Sequence, residues 1–428
     1  IVLTLGLGIG AITAVFSVIH AVVLRPLPFD DPDRLVLLGE THRTRGDRGL
    51  ASYPNFMDWQ ERNTVFEEIA AYYRDTHTLT GTGIPEHIEG ARVTAGFFPT
   101  LGVKAAIGRL FSRHDDVPGS ENVVVLSNGF WQRCFGGEPG VIGRTVVLDG
   151  TAFTVIGVLP AGTIFPKGMS YSHVDVSEAE VWTPFALVPG QSVRGWRRLQ
   201  VIGRLKVDVS PTQAQADMDI IAAQLERQYP ADNTERGVEL SSLHGELVAN
   251  VRPALWLLFG AVGLVLLIAC TNVANLLLAR GNKRRKELAV RAAMGAGKLR
   301  LIRQLISESV LFAVIGGTLG VLLASWSTDG LVAAAPLDCP QAHTVGLNWR
   351  VLGFTLVVSV VAGTVFGIAP AILGSRVDLR ESLEQGGGST GAEGRIWLRG
   401  ALVIGEISLA LMLLVGAGLL VRSLHLLT

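Results

Sequence analysis

The sequence predicts a membrane α-helical bundle of five spans carrying a large α/β (α+β) domain outside the membrane. Three observations carry that expectation. Ala254 to Ala279 is a run of 26 residues without a charge, and Ser309 to Thr328 is a second run of 20. Between them, Arg280 to Arg303 sets nine Lys or Arg against the single Glu287. Crossing a hydrocarbon core of ~30 Å takes ~20 apolar residues in a helix. A short, strongly basic connection between two spans stays in the cytoplasm. The third observation is Arg25 to Pro253, a long stretch of ordinary globular composition. With the basic connection inside, that stretch lies outside.

The elements follow in chain order. Residues 1–24 form the first span and 25–253 the outer domain, with a section at about 100–190 that is richer in Gly, Pro and short strands. The second span is 254–279, the basic cytoplasmic segment 280–303 and the third span 305–328. A short outer loop, 329–349, carries no Lys or Arg, as an exterior loop should. The fourth span is 351–373. A cytoplasmic linker, 374–399, holds Arg376, Arg380, Arg395 and Arg399 around a flexible "GGGSTG". The fifth span is 400–421. Residue 1 is Ile and the apolar run begins at once, so the natural N-terminus is expected further upstream. The run lacks the charged start and small-residue cleavage site of a signal peptide and reads as a span.

Composition agrees with a membrane protein. The chain is 49% hydrophobic and only 17% charged, against about 25% charged in soluble domains. Its zero net charge hides a segregated distribution, which argues for membrane topology and against nucleic-acid binding. The cysteines, Cys134, Cys270 and Cys339, form no CxxC and have no His-rich neighbourhood, so no metal site is expected. A Cys134–Cys339 bridge is sterically allowed, but spacing alone cannot establish it.

In the outer domain, Ser52 to Tyr73 places Phe56, Trp59, Phe66, Ala70 and Tyr73 on one helical face. Thr145 to Val158 reads as a hairpin turning at Asp149-Gly150. Leu199 to Val207 alternates, with Leu199, Val201, Leu205 and Val207 on one face and Gln200, Arg204 and Lys206 on the other. Ser210-Pro211 opens a helix as N-cap and first residue, with a buried stripe of Ala214, Met218, Ile221 and Leu225.

The spans carry three GxxxG spacings: Gly6/Gly10, Gly316/Gly320 and Gly363/Gly367. Such glycines let helices approach closely, although glycine is also simply common in membrane helices. Asn272, Asn275, Glu308 and Glu406 are polar groups near the inner ends of spans.

Chemistry-bearing motifs fail on inspection. "MGAGKL", Met294 to Leu299, has Ala292 where a phosphate loop needs its first Gly, and Leu299 where it needs Ser or Thr. "GLGIGA" at Gly6 lies inside a span and lacks the strand–turn–helix setting of a dinucleotide loop. Glu86, His87, Glu89, His114, Asp115 and Asp116 read as solvated loop residues rather than a metal cluster. No nucleophile–base pattern is found, so no catalytic, cofactor or metal residue is expected. The basic segment is the informative element. Residues 283–294 favour a helix and Gly295-Ala296-Gly297 breaks it. A short amphipathic helix under the membrane, tied to two spans, suits docking of a cytoplasmic protein.

"RRKELAVRAAMGAGKLRLIRQLISESVLFAVIGGTLG", Arg284 to Gly320, resembles the signature region of FtsX-like and MacB-like ABC transporter permeases. "FFPTLGVKAAIGRLF", "VLSNGFWQRCFGG" and "VIGVLP" resemble their periplasmic core domain. The resemblance implies a porter-type outer domain with an inserted β-rich lobe in a multi-pass bacterial inner-membrane protein. It implies a coupling helix, here Arg284, Glu287, Leu288, Arg291, Met294, Gly295, Ala296, Lys298 and Arg300, against a separate, dimeric ABC ATPase that binds the ATP. The chain itself would then be no enzyme and hold no cofactor. The expected function is efflux by mechanotransmission, with FtsX-type control of cell-wall hydrolases as the alternative. The substrate is not legible. Simple MacB-like permeases end after four spans, whereas a fifth begins here at Trp397. That resembles duplicated eight-span permeases of acidobacterial type, with this chain as the first half plus the opening helix of the second. A second permease half, in the same chain or as a homodimer, and a periplasmic adaptor are the further expected partners.

Overall fold

The computed structural model describes residues 1–46, 48–81, 85–163, 165, 176–186, 193–249, 251–283, 298–334, 348–375 and 390–427. The chain divides into two units, one holding the apolar helices and the other Pro26–Asn250.

In the first unit, α1 (Val2–Ile19) continues through a π-helical turn, His20–Leu24. Among the described residues it is followed in this unit by four further helices, numbered after the six of the outer domain: α8 (Arg252–Lys283), α9 (Lys298–Ala334), α10 (Trp349–Ser375) and α11 (Thr390–Leu427). Among the described residues, three helical segments are long and apolar enough to cross a membrane: Val2–Leu24, Arg252–Ala279 and Ile302–Trp326. In α10 and α11 the described apolar stretches, Trp349–Val365 and Gly400–Gly416, are shorter. The last helix starts at Thr390, inside the stretch expected to be linker. Residues 392–399 contain Ala, Glu, Arg, Ile and Leu and only one Gly, so they extend a helix readily.

In the second unit the strands are β1 (Leu35–His42), β2 (Arg48–Gly49), β3 (Ala51–Ser52), β4 (Phe66–Thr80), β5 (Glu86–Val93) and β6 (Ile107–Gly108). They continue with β7 (Val123–Leu126), β8 (Thr145–Leu148), β9 (Thr151–Val158), β10 (Val181–Pro184), β11 (Arg197–Leu205) and β12 (Arg236–Ser242). Among the described residues these twelve join one mixed sheet of order β12-β1-β11-β4-β5-β10-β7-β9-β6. Pairs β5–β10 and β7–β9 are parallel and the other pairs antiparallel. The section at 100–190 is hydrogen-bonded to the rest through β5–β10 and β4–β8. Helices α2 (Tyr53–Arg62), α3 (Phe97–Leu101), α4 (Asn128–Phe135), α5 (Pro211–Gln228), α6 (Pro230–Asn233) and α7 (Leu243–Ala249) complete the unit.

Local chemistry explains the elements. Asp149 and Gly150 both take positive φ, 51° and 77°, as a type I′ hairpin turn between β8 and β9 requires. Ser210 and Gln213 cap α5 reciprocally, and Ala214, Met218, Ile221 and Leu225 are its buried stripe.

Two expectations are corrected. Ser52–Tyr73 is not one helical run, because α2 ends at Arg62 and β4 begins at Phe66. Asn63 makes the break. Its Nδ2 donates to the carbonyls of Trp59 and Gln60 (2.8 and 3.1 Å), while its Oδ1 accepts from the Phe66 amide at 3.1 Å. The β-branched and aromatic residues beyond it favour a strand. In β11, both faces are covered. Leu199, Val201 and Leu205 pack with α2 and α5, yet Gln200 and Arg204 are also buried. Val207 lies past the strand end and is 68% exposed.

Candidate coupling and packing site in the membrane helices

The membrane helices meet where their side chains are smallest. Gly6 and Gly10 of α1 face Gly316 and Gly320 of α9. A Cβ added at Gly10 would lie 2.9 Å from the Gly320 carbonyl oxygen, and one at Gly320 only 2.7 Å from the Gly10 amide nitrogen. A Cβ at Gly316 would meet the Leu5 Cβ at 2.9 Å. Backbone therefore lies on backbone here, a contact any side chain would wedge apart. Helix α9 also receives α10. Cβ atoms at Gly363 and Gly367 would sit 2.7 Å from the Val310 Cα and 2.8 Å from the Ser309 Cβ.

The contacts between α1 and α10 run along one seam. The hydroxyls of Thr13 and Thr355 are 3.0 Å apart and buried. Phe16 stacks on Phe354 with ring centroids 3.8 Å apart. Further out, the His20 ring faces Asn348 Nδ2 at 3.3 Å and Arg350 Nη1 at 3.4 Å. On a further side of α1, a Cβ at Gly8 would meet Leu266 Cδ1 of α8 at 3.0 Å. Leu5, Ile9, Ile12, Leu266, Cys270, Val273, Ala313 and Ala362 form the apolar centre. Helices α1, α9 and α10 thus pack on one another, and α1 also packs on α8.

Of the residues expected to couple to an ATPase, Arg284, Glu287, Leu288, Arg291, Met294, Gly295 and Ala296 lie outside the described residues. Lys298 is the first residue of α9, and Arg300 is exposed in its first turn. Asn272, Glu308 and Glu406 are half-buried, and the Oδ1 of Asn275 is buried without a hydrogen-bond partner among the described residues.

Glu86, His87 and Glu89 lie in strand β5 and Asp115 is buried, which corrects the expectation that this set is all solvated loop. Glu86 pairs with Arg133, Glu89 with Arg74 and Asp115 with Arg109. The paired Arg74 guanidinium holds the Glu89 carboxyl below its ordinary value. Asp115 is buried and accepts two bonds from Arg109 (2.6 and 2.9 Å) and two from Ser112 (2.7 and 2.6 Å). The Arg109 guanidinium, helped by Ser112, holds this carboxyl well below the usual carboxylate range. Burial pushes the neighbouring Asp116 up instead, against the Ala186 and Ala95 amides that donate to it. Among the described residues no three His, Cys, Asp or Glu side chains gather as a metal site would require. Cys134 and Cys270 are free thiols, and Cys339 lies outside the described residues.

Residues 1–221 match the family model of the MacB-like periplasmic core domain, and residues 259–379 that of the FtsX-like permease C-terminal region. The chain belongs to the MacB-like, FtsX-like permease family. The macrolide export ATP-binding/permease protein MacB of Burkholderia pseudomallei (strain 1710b) is 26% identical over 294 residues, 67% of this chain and 41% of that protein. MacB of Agrobacterium fabrum is 25% identical over 292 residues, 68% of this chain and 42% of that one. The permease chain thus spans about two fifths of these relatives. The crystal structure of the periplasmic region of MacB from Actinobacillus actinomycetemcomitans is 16% identical, with a TM-score of 0.37, covering 55% of this chain and 94% of that one. The extracellular domain of the ABC-type transporter YknZ is 15% identical, with a TM-score of 0.35, covering 48% and 99%. These scores are low, and membership of the permease family rests on the two matching domains.

Sequence reasoning missed Gly8, the Thr13–Thr355 pair and the Phe16–Phe354 stack. Gly8 was legible as a small residue midway between Gly6 and Gly10. The paired hydroxyls were not, because 342 residues separate them in the chain.

Proposed function

We propose that this chain is the permease subunit of an ABC transporter, passing conformational change from a separate cytoplasmic ATPase to its outer domain by mechanotransmission to drive export. The observation that carries this reading is the glycine contact between α9 and α1. Helix α9 begins at Lys298, within the basic segment, and it touches backbone to backbone α1, the helix whose chain leads into the outer domain. A push that reaches Lys298 then has a short helical route to residue 25. Family membership supports the reading. In this reading α10 and α11 also cross the membrane, making five spans, and Pro26–Asn250 lies on the periplasmic side. ATP belongs to the partner, and this chain needs no cofactor of its own. A second permease half completes the bundle, and a periplasmic adaptor is the further candidate partner.

The test is orientation. A cysteine at Lys298 should resist a membrane-impermeant thiol reagent in intact cells, and one at Ser170 should react. The reverse pattern would sink the topology. A cell-wall hydrolase that binds the outer domain, with no export by the reconstituted complex, would favour the FtsX-type signalling role.

A further inference from the structure

The outer domain is strung between two pieces of chain, and each is gripped by a buried arginine. The lead-in segment, residues 26–34, follows α1 in sequence. The lead-out helix α7 precedes α8. Their strands are neighbours: β1 and β12 pair antiparallel, with Val36 opposite Ser242, so both pieces leave the same end of one strand pair. Leu27 and Leu243 are buried in the same apolar cluster.

Arg204, in β11, is only 6% exposed. Its Nε donates to the Thr100 carbonyl of α3 at 2.9 Å and its Nη1 to the Asp30 carbonyl of the lead-in segment at 2.7 Å. Burial lowers its pKa, and the neighbouring Arg34 adds to that. Arg34, within the lead-in segment, returns the grip by donating from Nε to the Leu205 carbonyl at 2.8 Å. The Asp30 carboxylate rests on Gly102, where a Cβ would come within 2.8 Å of Oδ2. Arg48, in β2, holds the other piece. Its side chain is 8% exposed and pairs with Glu246 of α7, while Nη2 donates to the Leu37 carbonyl of β1 (3.1 Å) and to Ser241 Oγ of β12 (2.7 Å). A guanidinium presents several donors in a rigid fork, so each arginine ties separate backbone segments into one body.

We infer that Arg204 and Arg48 are the positioning residues that fasten the lead-in segment and α7 to the sheet, so that displacement of α1 and α8 moves the outer domain as a rigid unit. The inference rests on the mechanotransmission reading. Neither residue touches substrate or nucleotide in this role. Removing either grip leaves the fold but loosens the linkage.

The test uses the full chain with its ATPase in lipid nanodiscs. Hydrogen exchange in R204Q should quicken at least tenfold at residues 30–35, and in R48Q at 243–249, with β4 and β5 unchanged. Unchanged exchange, or uniform quickening across the domain, would overturn the clamps. R204K should fall between, because an ammonium cannot span both carbonyls with a fixed fork. The second arm follows thiol labelling of a cysteine at Val207, in a chain whose three native cysteines are replaced. Wild type should show an ATP-dependent change in labelling. The double variant R204Q/R48Q should lose it while hydrolysing ATP within twofold of the wild-type rate. No ATP response in wild type would contradict the transmission reading itself. A wild-type response kept in the double variant would contradict only the clamps.

Discussion

Gly10 of α1 and Gly320 of α9 touch through their backbones: a Cβ on the first would lie 3.1 Å from the Cα of the second. Nothing softer lies between them. Substituting Gly320 by Ala should therefore force the helices apart and cost about 1–3 kcal/mol, the range for overpacking a filled interior. Gly260→Ala, where a Cβ would meet open space, should be neutral or slightly stabilising. Thermal unfolding in detergent, read by intrinsic fluorescence, separates the two.

The Thr13–Thr355 bond should make a smaller contribution. Thr355 Oγ1 also reaches the Val351 carbonyl at 2.9 Å, so it keeps a partner when Thr13 is lost. A double-mutant cycle with Thr13→Val and Thr355→Val should give a coupling of about 0.6 kcal/mol, as interhelical hydrogen bonds in membranes commonly do. A coupling near zero would mean that the hydroxyls do not interact.

Asp115 predicts a pH dependence. Its folded pKa is depressed, so its contribution is present above the unfolded value of about 3.9 and fades as pH falls toward the folded value. Asp115→Asn should cost about 2 kcal/mol at pH 7, the scale of hydrogen bonds to a charged group. The gap to wild type should narrow steadily below pH ~4. Urea unfolding of wild type and variant across that range measures it, and a gap constant with pH would refute the cause.

Gln215 guards a sheet edge. Strand β12 ends the sheet order, and the Gln215 side chain acts as a miniature strand beside it. Nε2 donates to the Val238 carbonyl at 2.7 Å and Oε1 accepts from the Leu240 amide at 2.9 Å. Gln215→Ala should bare both groups, cost about 2 kcal/mol for two hydrogen bonds, and promote edge-to-edge association. Light scattering against concentration should show the variant associating where wild type does not.

Much of this was legible in the sequence. Uncharged runs marked the apolar helices, because hydrocarbon tolerates little else. Asp149-Gly150 and Ser210 with Gln213 announced a turn and a cap through local chemistry that needs no distant partner. The failures share a cause. Asn63 hid the α2–β4 break because Phe56, Trp59, Phe66, Ala70 and Tyr73 also fit a helical spacing. Gln200 and Arg204 looked solvent-facing because strand alternation assumes one wet face, and here both faces of β11 are covered. The arginine grips and the Thr13–Thr355 pair join residues far apart in the chain, and periodicity says nothing of such partners. In the candidate site, the three glycine pairs were visible as spacings, but which helix each would meet was not.

Coupling itself is tested most directly by ATP hydrolysis. A partner ABC ATPase would be assayed in liposomes alone, with the wild-type chain, and with an Arg291→Glu/Lys298→Glu variant confirmed to be inserted. The account predicts that the wild-type chain changes the ATPase rate severalfold and that the charge-reversed chain neither binds the ATPase nor alters its rate. Equal rates and equal binding with both chains would contradict it.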